Sequence, residues 1–224
     1  MALEKDLPLS SFRPVTKLVR RETRLARPAF PVIDAHNHLA QFGGQWVDKP
    51  VETLLARMDE ADVRVYVDLD GGWGEEIFDA RLKKYKEPHP DRFIFFGGPG
   101  WKNWAADGAG FGEKSAARFR AQVARGAQGL KIWKDFGLHV KDEHGKLVAV
   151  DDERLIPLWE TAGELGVPVL IHVADPVAFF DPLDASNERW DELHAHPDWH
   201  FPSPQFPPFM AIMEAFALGR RHDG

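Results

Sequence analysis

Apolar residues along the chain gather in five short runs, separated by segments in which they recur at helical spacing. The runs cover residues 31–36, 63–69, 92–97, 128–133 and 168–173. Each is rich in Val, Ile, Leu or Phe and bounded by Gly, Pro, Asp or Gln, which predicts strands. Between them, residues 50–58 place Val51, Leu54, Leu55 and Met58 on one helical face, with Asp48 or Lys49 near the cap. Residues 151–165 do the same with Leu155, Leu158, Trp159, Ala162 and Leu165, and Gly166 stops the helix. Segments 75–86 and 113–125 carry a weaker helical period, and 208–218 forms a last one with Phe209, Ile212, Met213 and Phe216.

Strand followed by helix, repeated at a spacing of roughly 30 to 40 residues, predicts parallel βα units. The fold class is therefore α/β, of the TIM-type (β/α)8 kind, with about five βα units present. Right-handed crossovers place the helices outside and bring all strand C-termini to one face. The chemically informative residues fall there: His36 and His38, Asp68 and Asp70, the Gly97-Gly98-Pro99-Gly100 turn, Lys131 and His172. After the fifth run, residues 174–206 are rich in Pro, Asp, His and Trp, with a short helix expected at 186–193. A long insertion at that end of a strand serves as a lid or substrate-binding wall. Residues 1–29 read as an N-terminal leader and 30–224 as one barrel domain, with no internal repeat beyond the βα rhythm.

Composition narrows the function. A formal charge of −7 and a pI near 5.8 exclude the basic face that a nucleic-acid partner or a polybasic membrane anchor needs. Arg20, Arg21, Arg24 and Arg27 form a basic run that reads as a solvated part of the leader. No stretch has the pattern of a secretory signal or a membrane span, so a cytoplasmic location is expected. With no cysteine, any metal has to be held by imidazole, carboxylate or a modified lysine.

His36 and His38 are two apart on a strand, so both side chains leave the same face. Asp34 has the same parity and is a candidate for a carboxylate that orients a metal-binding imidazole. His172 ends the Val-Leu-Ile run of the fifth strand, where an apolar residue is the default. A hydrogen-bonded core histidine is the plain alternative; two further histidines on the same rim favour a ligand. His194 and His196 repeat the His-x-His spacing but read as surface or lid. Trp46, Trp73, Trp101, Trp104, Trp133, Trp190 and Trp199 fall mostly in rim loops, where they either line a substrate pocket or pack loops onto the barrel.

Pro-Val-Ile-Asp34-Ala-His36-Asn-His38, Val-Leu-Ile-His172-Val-Ala-Asp and Gly-Leu-Lys131-Ile-Trp-Lys-Asp-Phe-Gly-Leu together resemble the amidohydrolase superfamily. The branch they are most similar to is the amidohydrolase-related group that includes aminocarboxymuconate-semialdehyde decarboxylase. The resemblance runs from about Phe30 to the C-terminus and implies that His36, His38 and His172 bind a metal. It implies one divalent ion, zinc in first place with iron or manganese as alternatives, and a small-molecule substrate. Some superfamily members carboxylate a lysine at the end of the fourth strand; for Lys131 a snorkelling or substrate-binding role is the preferred reading and the carbamate the second. The resemblance also implies a sixth-strand His and an eighth-strand Asp acting as ligand and base. Neither follows the 208–218 helix, so the catalytic residue is unknown and the chain reads as truncated after the fifth βα unit.

The expected activity is metal-dependent hydrolysis of a C–N or C–O bond, or non-oxidative decarboxylation. The alternative is a catalytically incompetent fragment or non-enzymatic paralogue that keeps a partial metal site. A homo-oligomer or a completing partner would then cover the open barrel edges.

Overall fold

The computed structural model describes residues 7–24, 26–40, 46–71 and 74–219. Its centre is a parallel sheet of five strands, β1 (Val32–Asn37), β2 (Val63–Gly71), β3 (Phe93–Gly97), β4 (Gly129–Ile132) and β5 (Val169–Ile171). The strand order is β1-β2-β3-β4-β5, each strand pairing in parallel with the next in sequence. A doubly wound sheet reverses direction part-way, whereas a barrel never does. The chain therefore supplies five consecutive βα units of a TIM-type barrel.

Side-chain alternation sorts the sheet into two faces. On the outer face, Tyr66, Phe93 and Phe95 pack against Val51, Leu54 and Met58 of α1 (Val51–Glu60) and Phe78 of α2 (Glu75–Arg81). Further along the same face, Leu130 and Ile132 meet Phe111 and Phe119 of α3 (Phe111–Arg125) and Leu158 and Ala162 of α4 (Ile156–Glu164). Each fully buried Leu or Phe here stabilises the fold by about 1.5–3 kcal/mol. The other face carries Val67, Leu69 and Phe96, with Ile94 and Leu170 against them. Because Leu130 and Ile132 point to the helices, Gly129, Lys131 and Trp133 point to this inner face. Gly129 leaves room for the Phe96 ring, since a Cβ there would stand 2.4 Å from it.

The helix boundaries correct some expectations. Neither Asp48 nor Lys49 caps α1; Pro50 does, without a side-chain hydrogen bond, its fixed φ of −58° setting the entry. The 75–86 helix is α-helical only to Arg81 and then widens into a π-helical turn, Leu82–Lys86. The 151–165 helix begins as a 3-10 turn, Glu153–Leu155, with the Asp152 carboxylate accepting the Arg154 N–H. In the segment after β5, α5 spans Trp190–Ala195 rather than 186–193. Asn187 explains the shift, since its side chain bonds the carbonyls of Ala178 and Pro182 and the N–H of Arg189, holding a turn ahead of the helix. The last helix, α6, runs Phe209–Gly219. Among the described residues, no helix is long and apolar enough to cross a membrane.

Candidate functional site

The C-terminal end of β1 is stiffened by its own side chains. Asp34 accepts hydrogen bonds from the Asn37 amide at 2.6 Å and the His36 N–H at 3.4 Å, and Asn37 accepts the His38 N–H at 2.8 Å. Asp34 thus orients the backbone that carries the histidines; its partners are not the imidazoles themselves. The His36 and His38 rings meet edge to face with centroids 5.6 Å apart.

Behind His38 lies a buried ionic group. Asp70 stands 2.8 Å from His38 Nδ1, 2.8 Å from the Arg81 guanidinium and 3.1 Å from the Ala40 N–H. Asp68 accepts the Leu39 N–H at 3.0 Å and contacts Arg81 at 3.3 Å. Both carboxylates are fully buried and Arg81 nearly so. Two carboxylates share one guanidinium, and the pair responds as closely spaced acids do. Burial and the adjacent Asp70 push Asp68 up. Burial opposes ionisation of Asp70 too, but the His38 hydrogen bond, Arg81 and the Ala40 N–H hold it below the usual carboxylate range. Both acids also anchor the 39–40 backbone. The engagement of His38 by Asp70 is what sequence reasoning misses; the available signal was Arg81, a charge beside Phe78 and Leu82 on an otherwise apolar helix face.

Lys131 on β4 is wholly buried, and its Nζ has no hydrogen-bond partner. The amine lies 5.2 Å from the Trp133 ring centroid, and burial pushes it down to about 8. Trp133 in turn contacts His38, with centroids 5.0 Å apart, and His172 at 6.2 Å. His172 follows β5 directly, its N–H bonded to the Ile132 carbonyl at 2.9 Å. Its Nε2 stands 3.8 Å from Asp175, whose other oxygen pairs with Lys134. Burial lowers His172 to about 4, with Lys131, Lys134 and His36 adding to the effect and Asp175 opposing it. Burial, then Lys131 and His38, lower His36, against Asp34. Both imidazoles are consequently neutral at neutral pH, the form that binds metals.

The rim thus gathers His36, His38, Lys131 and His172. Among the described residues, no three His, Asp or Glu side chains already stand in a group that could hold a metal ion. The chemistry of the donors nevertheless fits a divalent cation. The Asp70 carboxylate holds His38 Nδ1, the arrangement that orients a metal-binding imidazole.

The remaining candidates take structural roles. In the 97–100 turn, the Gly98 N–H is bonded to the Gln122 side chain and the Pro99 carbonyl to Ser115, fastening the turn to α3. Trp101 and Trp104 pack with Phe111 and Phe136 in the outer core, so they do not line the site. His194 stacks on Trp190 and His196 on Trp199, within the segment that follows β5. That segment builds its own apolar cluster from Phe179, Leu193 and Phe201, packed on Leu138 beyond β4. Trp73 lies outside the described residues. A cleft lined by Phe30, Asp62, Arg64 and Arg92 opens at the opposite end of the sheet, beside the strand N-termini.

No family model matches the chain, and no curated protein matches it. Among solved structures, 2,6-dihydroxybenzoate decarboxylase from Rhizobium aligns with a TM-score of 0.46 at 16% identity, covering 85% of this chain and 58% of that one. A structure of 2,6-dihydroxybenzoate decarboxylase complexed with 2,6-dihydroxybenzoate gives 0.45 and 15%, covering 86% and 59%. The chain therefore spans less than two thirds of the length of either.

Proposed function

We propose that this rim is the active site of a metal-dependent enzyme of the amidohydrolase type. It acts on a small molecule, either hydrolysing a C–N or C–O bond or removing a carboxylate without oxidation. The observation that carries this reading is the rim itself: three imidazoles, His36, His38 and His172, gathered around Trp133 and one another, with His38 held by a buried carboxylate. His36, His38 and His172 would hold one divalent ion, with zinc first and iron or manganese equally compatible with nitrogen donors. Such an ion supplies Lewis acidity, lowering the pKa of water or polarising a carbonyl or carboxylate.

The chain's own residues divide the remaining work. Asp68 and Asp70 are committed to Arg81 and to the 39–40 backbone, so neither is free to exchange protons with a substrate. Asp175 is different: one oxygen is paired with Lys134, and the other faces His172 Nε2 at the rim. Its position suits proton transfer to or from a substrate bound beside His172.

Metal analysis of the purified protein tests the assignment. The expected result is close to one equivalent of Zn, Fe or Mn, sharply reduced in His36→Ala and in His172→Ala. Absence of metal, or an unchanged content in both variants, overturns it.

A further inference from the structure

Lys131 contributes nothing to the fold that an apolar side chain would not contribute better. It is wholly buried, and its Nζ makes neither a hydrogen bond nor an ion pair among the described residues. An unpaired ammonium in an interior is costly, and interiors therefore pair it or replace it. The other inner-face residues near it follow that rule, since Val67, Leu69, Phe96 and Leu170 are all apolar. Other cations around the rim have acidic partners as well: Arg81 holds Asp68 and Asp70, and Lys134 holds Asp175. Among the described residues, Lys131 has the face of the Trp133 ring and no acidic partner.

Its direction is set by the strand. Leu130 and Ile132 are packed into the outer core, so Lys131 points to the inner face, on the side of the sheet that leads to His36 and His172. A buried cation aimed at a candidate active site and without a counter-ion among the described residues is a place where a ligand brings the counter-ion.

We propose that Lys131 is the anion-binding residue of this site and receives the carboxylate of a small organic ligand. One ammonium, unpaired among the described residues, balances one negative charge. A carboxylate matches that balance; a phosphate dianion would stay half unpaired after losing its water. The Trp133 ring beside the amine offers an apolar wall for the body of the molecule. This assignment deepens the reading of the rim as an active site, and it needs no metal for the anion to bind.

Thermal unfolding of chelator-treated protein at pH 7 and constant ionic strength, with chloride replaced by acetate, benzoate or phosphate, provides the test. Acetate and benzoate are expected to raise the melting temperature of the unsubstituted protein in a saturable way, and phosphate less. Lys131→Met, which keeps the length and removes the charge, is expected to melt higher than the unsubstituted protein in chloride and to gain nothing from carboxylates. Equal carboxylate shifts in the two proteins overturn the proposal, as does no shift in the unsubstituted one. A phosphate effect larger than that of either carboxylate overturns the ligand class. A Lys131→Met chain that melts lower or does not fold would make the lysine structural and overturn it as well. Since the chelator removes any metal, these outcomes are read independently of the metal analysis.

Discussion

Charge placement behind and beneath the histidines has consequences that single substitutions expose. Arg81 is shared by two buried carboxylates, through contacts of 3.3 Å to Asp68 and 2.8 Å to Asp70. Arg81→Met fills similar space but leaves two acids facing each other in the interior, and removing one side of a buried pair costs about 3–5 kcal/mol. Urea unfolding at pH 7 should show a loss of that size, and a change below about 1 kcal/mol would mean the pair is already solvated. The same substitution should loosen His38, because Asp70 then lacks the guanidinium that holds it ionised. Lys131 gives the opposite sign. Burial places its amine near 8 in the folded chain, below the ordinary lysine value of 10.5. Between those two values the unfolded chain binds more protons than the folded one, so stability from this residue rises with pH across that window. Below it the folded state carries the full penalty of a buried charge. The gap in melting temperature between Lys131→Met and the unsubstituted protein should therefore be widest near pH 7 and narrow towards pH 10. A constant gap across that range would show that the amine stays protonated in the folded chain as it does in the unfolded one.

The elements divide into those a one-dimensional pattern can announce and those it cannot. All five strands were legible, to within a residue or two at most ends, because parallel strands covered on both sides read as continuous apolar runs. Helices α1 and α4 were legible for the same kind of reason, an apolar stripe stopped by Gly or preceded by Pro. The π-helical turn at Leu82–Lys86 and the late start of α5 were not, since they arise from contacts among residues whose spacing has no period. In the site, His36, His38, Lys131 and His172 stood out as polar residues closing apolar runs. The union of His38 with Asp70 stayed hidden because it joins positions 32 residues apart, and nothing local distinguishes an acid that caps a loop from one that also holds a ring. Close packing between elements was equally silent in the sequence. The Cβ of an alanine at Gly129 would meet the Phe96 ring at 2.4 Å, and one at Gly112 would meet the Arg154 carbonyl at 1.9 Å. The first neighbour is a side chain on the inner face and the second is backbone between α3 and α4. Overpacking of this kind typically costs about 1–3 kcal/mol. Gly112→Ala should cost more than Gly129→Ala, because a ring can tilt where a carbonyl needs a whole helix to move. Chemical denaturation of the two variants in parallel checks the order.

On the scale of the whole molecule, the fold has to hold the segment after β5 against the rim, and it recruits the N-terminal residues to do so. The Arg13 N–H bonds the Ala185 carbonyl at 2.8 Å, the Val15 N–H bonds the Ser186 carbonyl at 3.0 Å, and the Lys17 N–H reaches Glu188 at 3.1 Å. Val15 and Asn187 form a parallel bridge, and the Lys17 ammonium lies 3.3 Å from Asp181. These contacts close a connection between residues more than 160 positions apart, and the segment they hold includes Asp181 to Glu188, directly ahead of α5. The N-terminal stretch is otherwise largely exposed, with Leu9, Leu18 and Val19 uncovered, so its order depends on this short ladder rather than on a buried core. A few solvent-exposed backbone hydrogen bonds give low local stability, and such a region opens without global unfolding. Val15→Pro removes the donor of the central bond while leaving every side chain of the rim in place. Arg189 lies at the end of the released segment and is half-exposed, so tryptic cleavage after it reports the opening. Cleavage at this site should be several-fold faster in Val15→Pro than in the unsubstituted chain, with little change in the global melting temperature. An unchanged cleavage rate would mean that the Phe179, Leu193 and Phe201 cluster holds the segment by itself and that the N-terminal residues merely rest on it.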